Sequence, residues 1–181
     1  LDLNADVNSY LTAFKIPATL RQAQDGASAA PITLAHLLTH TPGFEERGEG
    51  LFLRAADEKL PLADYLQRYM PARVRPPGTL TAYSNYGTTL AGYIIEQVTG
   101  MPYEQYIEEK ILQPLQMTHS TFRQPLPAEL ARDMAVGYLY SGGQYQPRDF
   151  EVVQASPAGA LSATATDMAN FMLAHLQNGC F

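Results

Sequence analysis

The sequence predicts a mainly α fold, one domain over residues 1–181, with a short β-hairpin near 138–146. Apolar residues recur at helical spacing from just after Tyr83 to Thr99, where Leu90, Ala91, Ile94, Ile95 and Val98 form one stripe and Gly100 supplies the stop. Pro61 and Pro102 each stand where a helix opens, ahead of the amphipathic runs PLADYLQRYM and PYEQYIEEKIL. GYLYSGGQYQ places alternating aromatic residues on both sides of Ser141-Gly142-Gly143, the strongest hairpin signal in the chain.

Taken in order, Leu3, Val7, Tyr10 and Leu11 fall at helical spacing ahead of Pro17 and predict a short amphipathic helix. Residues 21–31, RQAQDGASAAP, have no apolar period and read as a loop. In ITLAHLLTH, Thr33 is placed to cap a helix with Leu34, Leu37 and Leu38 on its apolar face, and Thr41-Pro42-Gly43 turns the chain. Phe44 to Lys59 is rich in Glu and Gly and shows no clear element boundary. RVRPPGTL, residues 73–80, must be extended or turned, because proline removes amide donors and its predecessor avoids helical angles. After the long helix and the one opened by Pro102, which Pro114 closes, PAELARDMA offers a short helix. A final helix starts near Thr166-Asp167, with Met168, Phe171, Met172 and Leu176 as its expected buried stripe, and stops at Asn178-Gly179.

Composition narrows the function classes. With 181 residues, 46% of them hydrophobic and only 17% charged, the chain has ample material for a core and a sparsely charged surface. Its 12 Lys+Arg against 18 Asp+Glu give a net charge of −6, which offers no basic footprint for phosphate, so no nucleic-acid partner is expected. The single cysteine, Cys180, excludes an internal disulfide and a cysteine-based zinc cluster. No stretch approaches the roughly 18 apolar residues of a membrane span. The start, LDLNADVNSY, lacks the regions of a secretory signal and an initiator Met, and its apolar pattern is already under way, so the chain is expected to begin inside a longer polypeptide.

Most catalytic signatures are absent: no Gly-x-Ser-x-Gly elbow, no phosphate-cradling loop and no dinucleotide fingerprint. His36 and His40 lie four apart, a spacing that suits two metal ligands on one helical face, but Leu37 stands where a metalloprotease helix carries its Glu. A core or capping role explains that pair more simply, and His119 and His175 read as hydrogen-bonded core residues; no metal and no cofactor is expected. Tyr83-Ser84-Asn85 lies between a Pro-Pro-Gly turn and the long helix, so three polar side chains sit on a rigid junction. Such junctions favour functional sites, while the plainer reading is that Ser84 or Asn85 caps the helix and Tyr83 packs.

The strings LDLNADVNSYL, ITLAHLLTHTPGF, PPGTLTAYSNYGTTLAGYIIEQVTGMPYEQYIEEKILQPLQMTHSTF and SPAGALSATATDMANFMLAHLQNG, in that order, resemble the serine beta-lactamase-related hydrolases. That family includes class C beta-lactamases, penicillin-binding-protein-like carboxypeptidases, D-aminopeptidases and esterases. The resemblance implies the helical region of the beta-lactamase/transpeptidase-like fold, α+β in the complete parent. It implies a serine in Ser-x-x-Lys that attacks a carbonyl, a Tyr-x-Asn element, and a closing Lys-Thr-Gly-like or His-x-Gly strand. Tyr83 then matches the family's tyrosine, a general base, and Asn85 its substrate-contacting asparagine; Ser84 between them need not be a nucleophile. A phenol ordinarily ionises near pH 10, so it serves as a base near neutrality only where cations favour the phenolate or where it relays a proton to an amine. Gly159-Ala160-Leu161-Ser162 resembles the small-residue segment lining the family's cleft.

The sequence also departs from that pattern. Lys15, Lys59 and Lys110 have Thr12, Ala56 and Ile107 three residues earlier, so no Ser-x-x-Lys is present, and no Lys-Thr-Gly follows Gly179. Thr12-Ala13-Phe14-Lys15 copies the spacing but falls after the LDLNADV segment that the family's nucleophile precedes, and is read as coincidence. The expectation is therefore a fragment holding one wall of a serine hydrolase that cleaves an amide or ester (a beta-lactam, a D-amino-acid peptide or a small ester) through an acyl-enzyme, inactive when isolated. Family resemblance favours a periplasmic or secreted setting. The alternative is a non-catalytic helical module that binds a peptide or protein partner, or self-associates, through uncovered apolar surface.

Overall fold

The computed structural model describes residues 1–18 and 30–180; most of the loop expected over 21–31 lies outside the described residues. Helix α1 (Leu34–Leu38) opens as expected at Thr33, whose hydroxyl accepts from the His36 amide while the His36 ring accepts from the Thr33 amide. Strand β1 (Phe52–Leu53) and helix α2 (Leu62–Arg68) follow, then α3 (Asn85–Thr99), capped by Ser84 and stopped by Gly100 in the left-handed region at φ 68°. Helix α4 (Tyr103–Ile107) runs on into a π-turn, Glu108–Leu112, within the single helix the sequence predicts. After α5 (Ala128–Ala131) come strands β2 (Gly137–Ser141), β3 (Gln144–Arg148) and β4 (Val152–Val153), then α6 (Ser156–Gly159) and α7 (Ala165–Leu176).

The architecture is α+β, which corrects the mainly α expectation in part. The β2–β3 hairpin forms in the predicted place, pairing Ser141 with Gln144 across Gly142-Gly143, both at positive φ as a two-residue turn of this hand requires. Its strands are exposed throughout. Periodicity gave no sign of the second sheet, an antiparallel pairing of β1 with β4 (Phe52 opposite Val153, Leu53 opposite Val152). Two-residue strands a hundred positions apart carry no local signal, because their register is set by the core beneath them.

Helix α3 is the axis of the core. Leu90 and Ile94 are fully buried, Tyr86 and Tyr93 nearly so, and α1, α2, α4 and α6 all pack against the helix. Leu37, Leu66, Phe44 and Tyr103 complete the cluster, with Phe44 meeting the Tyr86 ring edge-on at 5.1 Å. Gly92 lets α6 approach closely: a Cβ there would stand 2.4 Å from Pro157 Cγ.

Two helical expectations are corrected. The amino-terminal segment forms only a 3-10 turn at Val7–Ser9. Asp6 accepts from the Asn8 amide, and the Asn8 carboxamide bonds both backbone groups of Ile16, so side chains satisfy the backbone without a helix. Val7 and Leu11 are buried all the same, laid against the core by the Val7 N–H donating to Ile32 O. On α7 the buried residues are Asp167 and Ala174. Met168 and Phe171 are half-buried, whereas Met172 and Leu176, expected inside, are 61% and 78% exposed.

Candidate active site

The junction ahead of α3 is built by two segments that lock together. Gly43, at φ 80°, approaches Arg75 so closely that a Cβ would lie 2.1 Å from its carbonyl oxygen, and Gly43 O accepts from Val74 N at 2.8 Å. Gly78 N–H donates to Thr41 O at 2.8 Å, and Ala82 N–H to His40 O at 2.7 Å. The Thr41-Pro42-Gly43 turn and the proline-rich 73–80 segment are therefore one interlocked platform, and it delivers residues 82–85 to the helix start.

On that platform the three junction residues divide their roles. Ser84 is 1% exposed; its hydroxyl accepts from the Gly87 amide at 3.0 Å, and its own amide donates to His40 Nδ1 at 3.3 Å. It is a helix cap, sealed from solvent. Tyr83 is 58% exposed, with its ring 4.6 Å from that of His40 and tilted by 35°. Its hydroxyl donates to Asn85 Oδ1 at 3.3 Å. Asn85 Nδ2 donates to Glu46 Oε1 at 2.7 Å, and the Asn85 amide donates to the same carboxylate at 3.2 Å. Glu46 thus stands at the amino terminus of α3, where the helix dipole favours an anion.

Burial acts on the tyrosines of the core. Burial pushes Tyr103 up to about 12, and burial, reinforced by the Glu46 and Tyr69 side chains, does the same for Tyr65. Burial raises Tyr86 further still. Such groups keep their protons through the physiological range.

Sequence reasoning missed His40 and Glu46 as neighbours of the junction. The turn that brings them there was legible, but nothing in the run Phe44-Glu45-Glu46 tells which acid faces Asn85. The metal spacing of His36 and His40 does not survive: α1 ends at Leu38, and His40 sits outside it at φ 54°, so the two share no helical face. His36 caps α1 and His40 supports Ser84. Among the described residues no three His, Cys, Asp or Glu side chains come together as a ligand set. His119 and His175 are exposed, which corrects their reading as core residues. Among the described residues, 159–162 form no hydrogen bond to Tyr83 or Asn85; Ala160 is buried and Ser162 pairs with Thr121. Thr12 bonds Gln97, roughly 18 Å along α3 from Asn85 at 1.5 Å per residue, which rules it out as this site's nucleophile.

A family model described as beta-lactamase matches residues 1–180. The chain belongs to the beta-lactamase family. It is 33% identical over 156 residues to a beta-lactamase of Escherichia coli K12, covering 81% of this chain and 36% of that enzyme. It is 33% identical over 150 residues to monacolin J acid methylbutanoyltransferase of Aspergillus terreus, covering 73% of this chain and 35% of that one. The chain therefore spans about a third of the length of these curated relatives (36% and 35%). The octameric penicillin-binding protein homologue from Pyrococcus abyssi superposes with a TM-score of 0.70 at 27% identity, over 98% of this chain and 40% of that one. This beta-lactamase-family chain thus has the α+β fold expected for its family.

Proposed function

We propose that this chain forms one wall of the active site of a serine hydrolase that cleaves an amide or ester through an acyl-enzyme, with Tyr83 as general base and Asn85 as a substrate-contacting group. The attacking hydroxyl comes from polypeptide outside these residues. As it adds to the substrate carbonyl, its proton passes to the Tyr83 oxygen, which relays its own proton to an amine of the same outside polypeptide and takes it back as the intermediate collapses. Collapse of the tetrahedral intermediate breaks the scissile bond, and the phenol returns the proton to the leaving group. Water then repeats the sequence against the acyl-enzyme and restores the serine.

One observation carries this reading: at the family's Tyr-x-Asn position the phenol is exposed and tethered to the carboxamide, while the intervening serine is fully occupied as a buried cap. The substrate class proposed is a beta-lactam, a D-amino-acid peptide or a small ester. Tyr83→Phe in the full-length polypeptide should lower turnover of a chromogenic ester or lactam by about 10²-fold or more. Unchanged turnover removes Tyr83 from the mechanism.

The exposed Met172, Leu173 and Leu176 on α7 favour one second reading, a helical module whose apolar surface takes a peptide or protein partner. Covalent labelling of the isolated chain by a fluorophosphonate or a labelled penicillin would contradict it.

A further inference from the structure

The β2–β3 hairpin lies outside the core, and every residue of both strands is exposed. Its register determines what each edge presents. A two-residue turn is closed by a hydrogen-bonded pair, here Ser141 with Gln144, and bonded and non-bonded pairs alternate along an antiparallel ladder. The Tyr140–Tyr145 and Tyr138–Pro147 pairs are therefore of the non-bonded kind, which also suits Pro147, since it has no N–H to exchange. Residues in such pairs turn their backbone groups away from the partner strand. The free edge of β2 thus carries the N–H and C=O of both Tyr138 and Tyr140, whereas on the free edge of β3 the proline supplies no donor. Proteins commonly guard an open edge with a charge, a proline or a bulge. β2, in regular register and without a charged residue or proline, has no such guard.

We propose that the free edge of β2 is a self-association site, where a second copy of this chain adds its own β2 antiparallel across a two-fold axis at Leu139. In that register Tyr138 exchanges both backbone bonds with the partner's Tyr140, and Tyr140 with the partner's Tyr138, so four hydrogen bonds close within Gly137–Ser141. An axis at Tyr138 or Tyr140 would keep only two of them inside the strand. Directly opposed side chains share a face, so Tyr138, Tyr140 and Tyr145 of both copies line one side of a four-stranded sheet. These tyrosines are 61%, 63% and 74% exposed; at about 150–250 Å² for a whole aromatic side chain they hold about 300–500 Å² of uncovered surface per copy. A standard interface takes about 800 Å² from each partner, so the tyrosines and the strand edge fit a dimer that dissociates on dilution. Residues 134–147 hold no charge to repel the second copy. Because pairing consumes the β2 edge and Pro147 blunts the other, the assembly closes at two copies. None of this rests on the reading of Tyr83 and Asn85.

Sedimentation of the full-length polypeptide tests it. The mass should rise from one copy toward two between about 1 and 100 μM, the span expected of a small interface. Leu139 would face the partner's Leu139 with their Cα atoms about 4.5 Å apart. Leu139→Lys and Leu139→Glu should therefore each stay monomeric, by like charge across the axis, and an equimolar mixture of the two should dimerise again. Misfolded protein cannot give that rescue. Tyr140→Pro removes an outward N–H and leaves the hairpin's own bonds intact; it should weaken association about tenfold or more, through two symmetry-related bonds. A polypeptide that stays monomeric at about 100 μM or forms species larger than a dimer overturns the proposal. So do charged variants whose mixture stays monomeric, or that each dimerise undiminished, the last result pointing to another surface such as α7.

Discussion

Gly92→Ala sets two effects of opposite sign against each other at the centre of the fold. In an exposed helix the change should stabilise by about 1 kcal/mol, because glycine is the poorer helix former. Here the added methyl would lie 2.4 and 2.5 Å from Cγ and Cβ of Pro157 and 3.3 Å from Tyr103 Cδ2. Carbon atoms in good contact stand about 3.5–4.0 Å apart, so α6 must retreat by about 1 Å or more. It has little freedom to do so. Ala155 and Ser156 beside Pro157 are fully buried, and the Ser156 hydroxyl bonds Glu104 at 2.8 Å. Overpacking of this kind costs about 1–3 kcal/mol, and Pro157 is a ring on a short helix, not the loose end of a long side chain. Because the ring cannot yield, the upper half of that range applies, so the clash should win by about 1–2 kcal/mol net of the propensity gain, with a fall in Tm of a few degrees. Thermal unfolding of the full-length polypeptide measures it, with Gly48→Ala as control because nothing lies within 4 Å of a Cβ there. A Gly92 variant as stable as the wild type, or more so, would refute the claim that α6 is seated on α3 through this glycine.

Asp167 and Glu104 give two further tests. Asp167, 3% exposed, accepts from the Ser120 hydroxyl at 2.7 Å and the His119 amide at 2.8 Å; Asp167→Ala strands both donors and should cost about 2–4 kcal/mol by chemical denaturation, loosening the seat of α7. Burial by itself would push the Glu104 carboxyl up, but the Lys59 ammonium at 2.9 Å and the Ser156 hydroxyl outweigh it and hold the group below its ordinary value. A carboxyl depressed on folding stabilises the protein above its unfolded value of about 4.5, and that contribution is lost as pH falls through the lower folded value. Glu104→Gln should therefore cost about 1–3 kcal/mol at pH 7, and the gap to wild type should close in acid; a gap of constant size from neutral to acid pH contradicts the charged pairing.

The elements legible in the sequence are those whose signals are local. Thr33, Ser84 and Gly100 each bound a helix where their chemistry places them, and Gly142-Gly143 turns a hairpin between the paired tyrosines Tyr140 and Tyr145. What local pattern could not show was decided by partners far along the chain. Leu3, Val7, Tyr10 and Leu11 have helical spacing, yet Asn8 bonds the Ile16 backbone and the segment takes another course. The apolar period of α7 is real, but burial depends on what stands opposite, and Met172 and Leu176 face solvent. At the site, Tyr83 and Asn85 were accessible from a family pattern in consecutive residues. His40 and Glu46 were not, since their approach is made by the Gly43–Arg75 contact, a tertiary event with only a Pro-Gly turn to announce it.

The amino terminus of α3 can serve both folding and the proposed chemistry without conflict. A helix start leaves amides that need acceptors, and a catalytic phenol needs to be free of such duties. Here Ser84 meets the first demand from inside, bonding Gly87 in the core, and Glu46 meets it from outside by taking the Asn85 amide. With those two amides taken, the Tyr83 ring stands out from the junction, resting on His40, with its hydroxyl bonded to the carboxamide beside it. The Tyr-Ser-Asn order follows from that division. Because the capping residue must turn inward, its two neighbours are left on the outer side of the turn, close enough for one to orient the other.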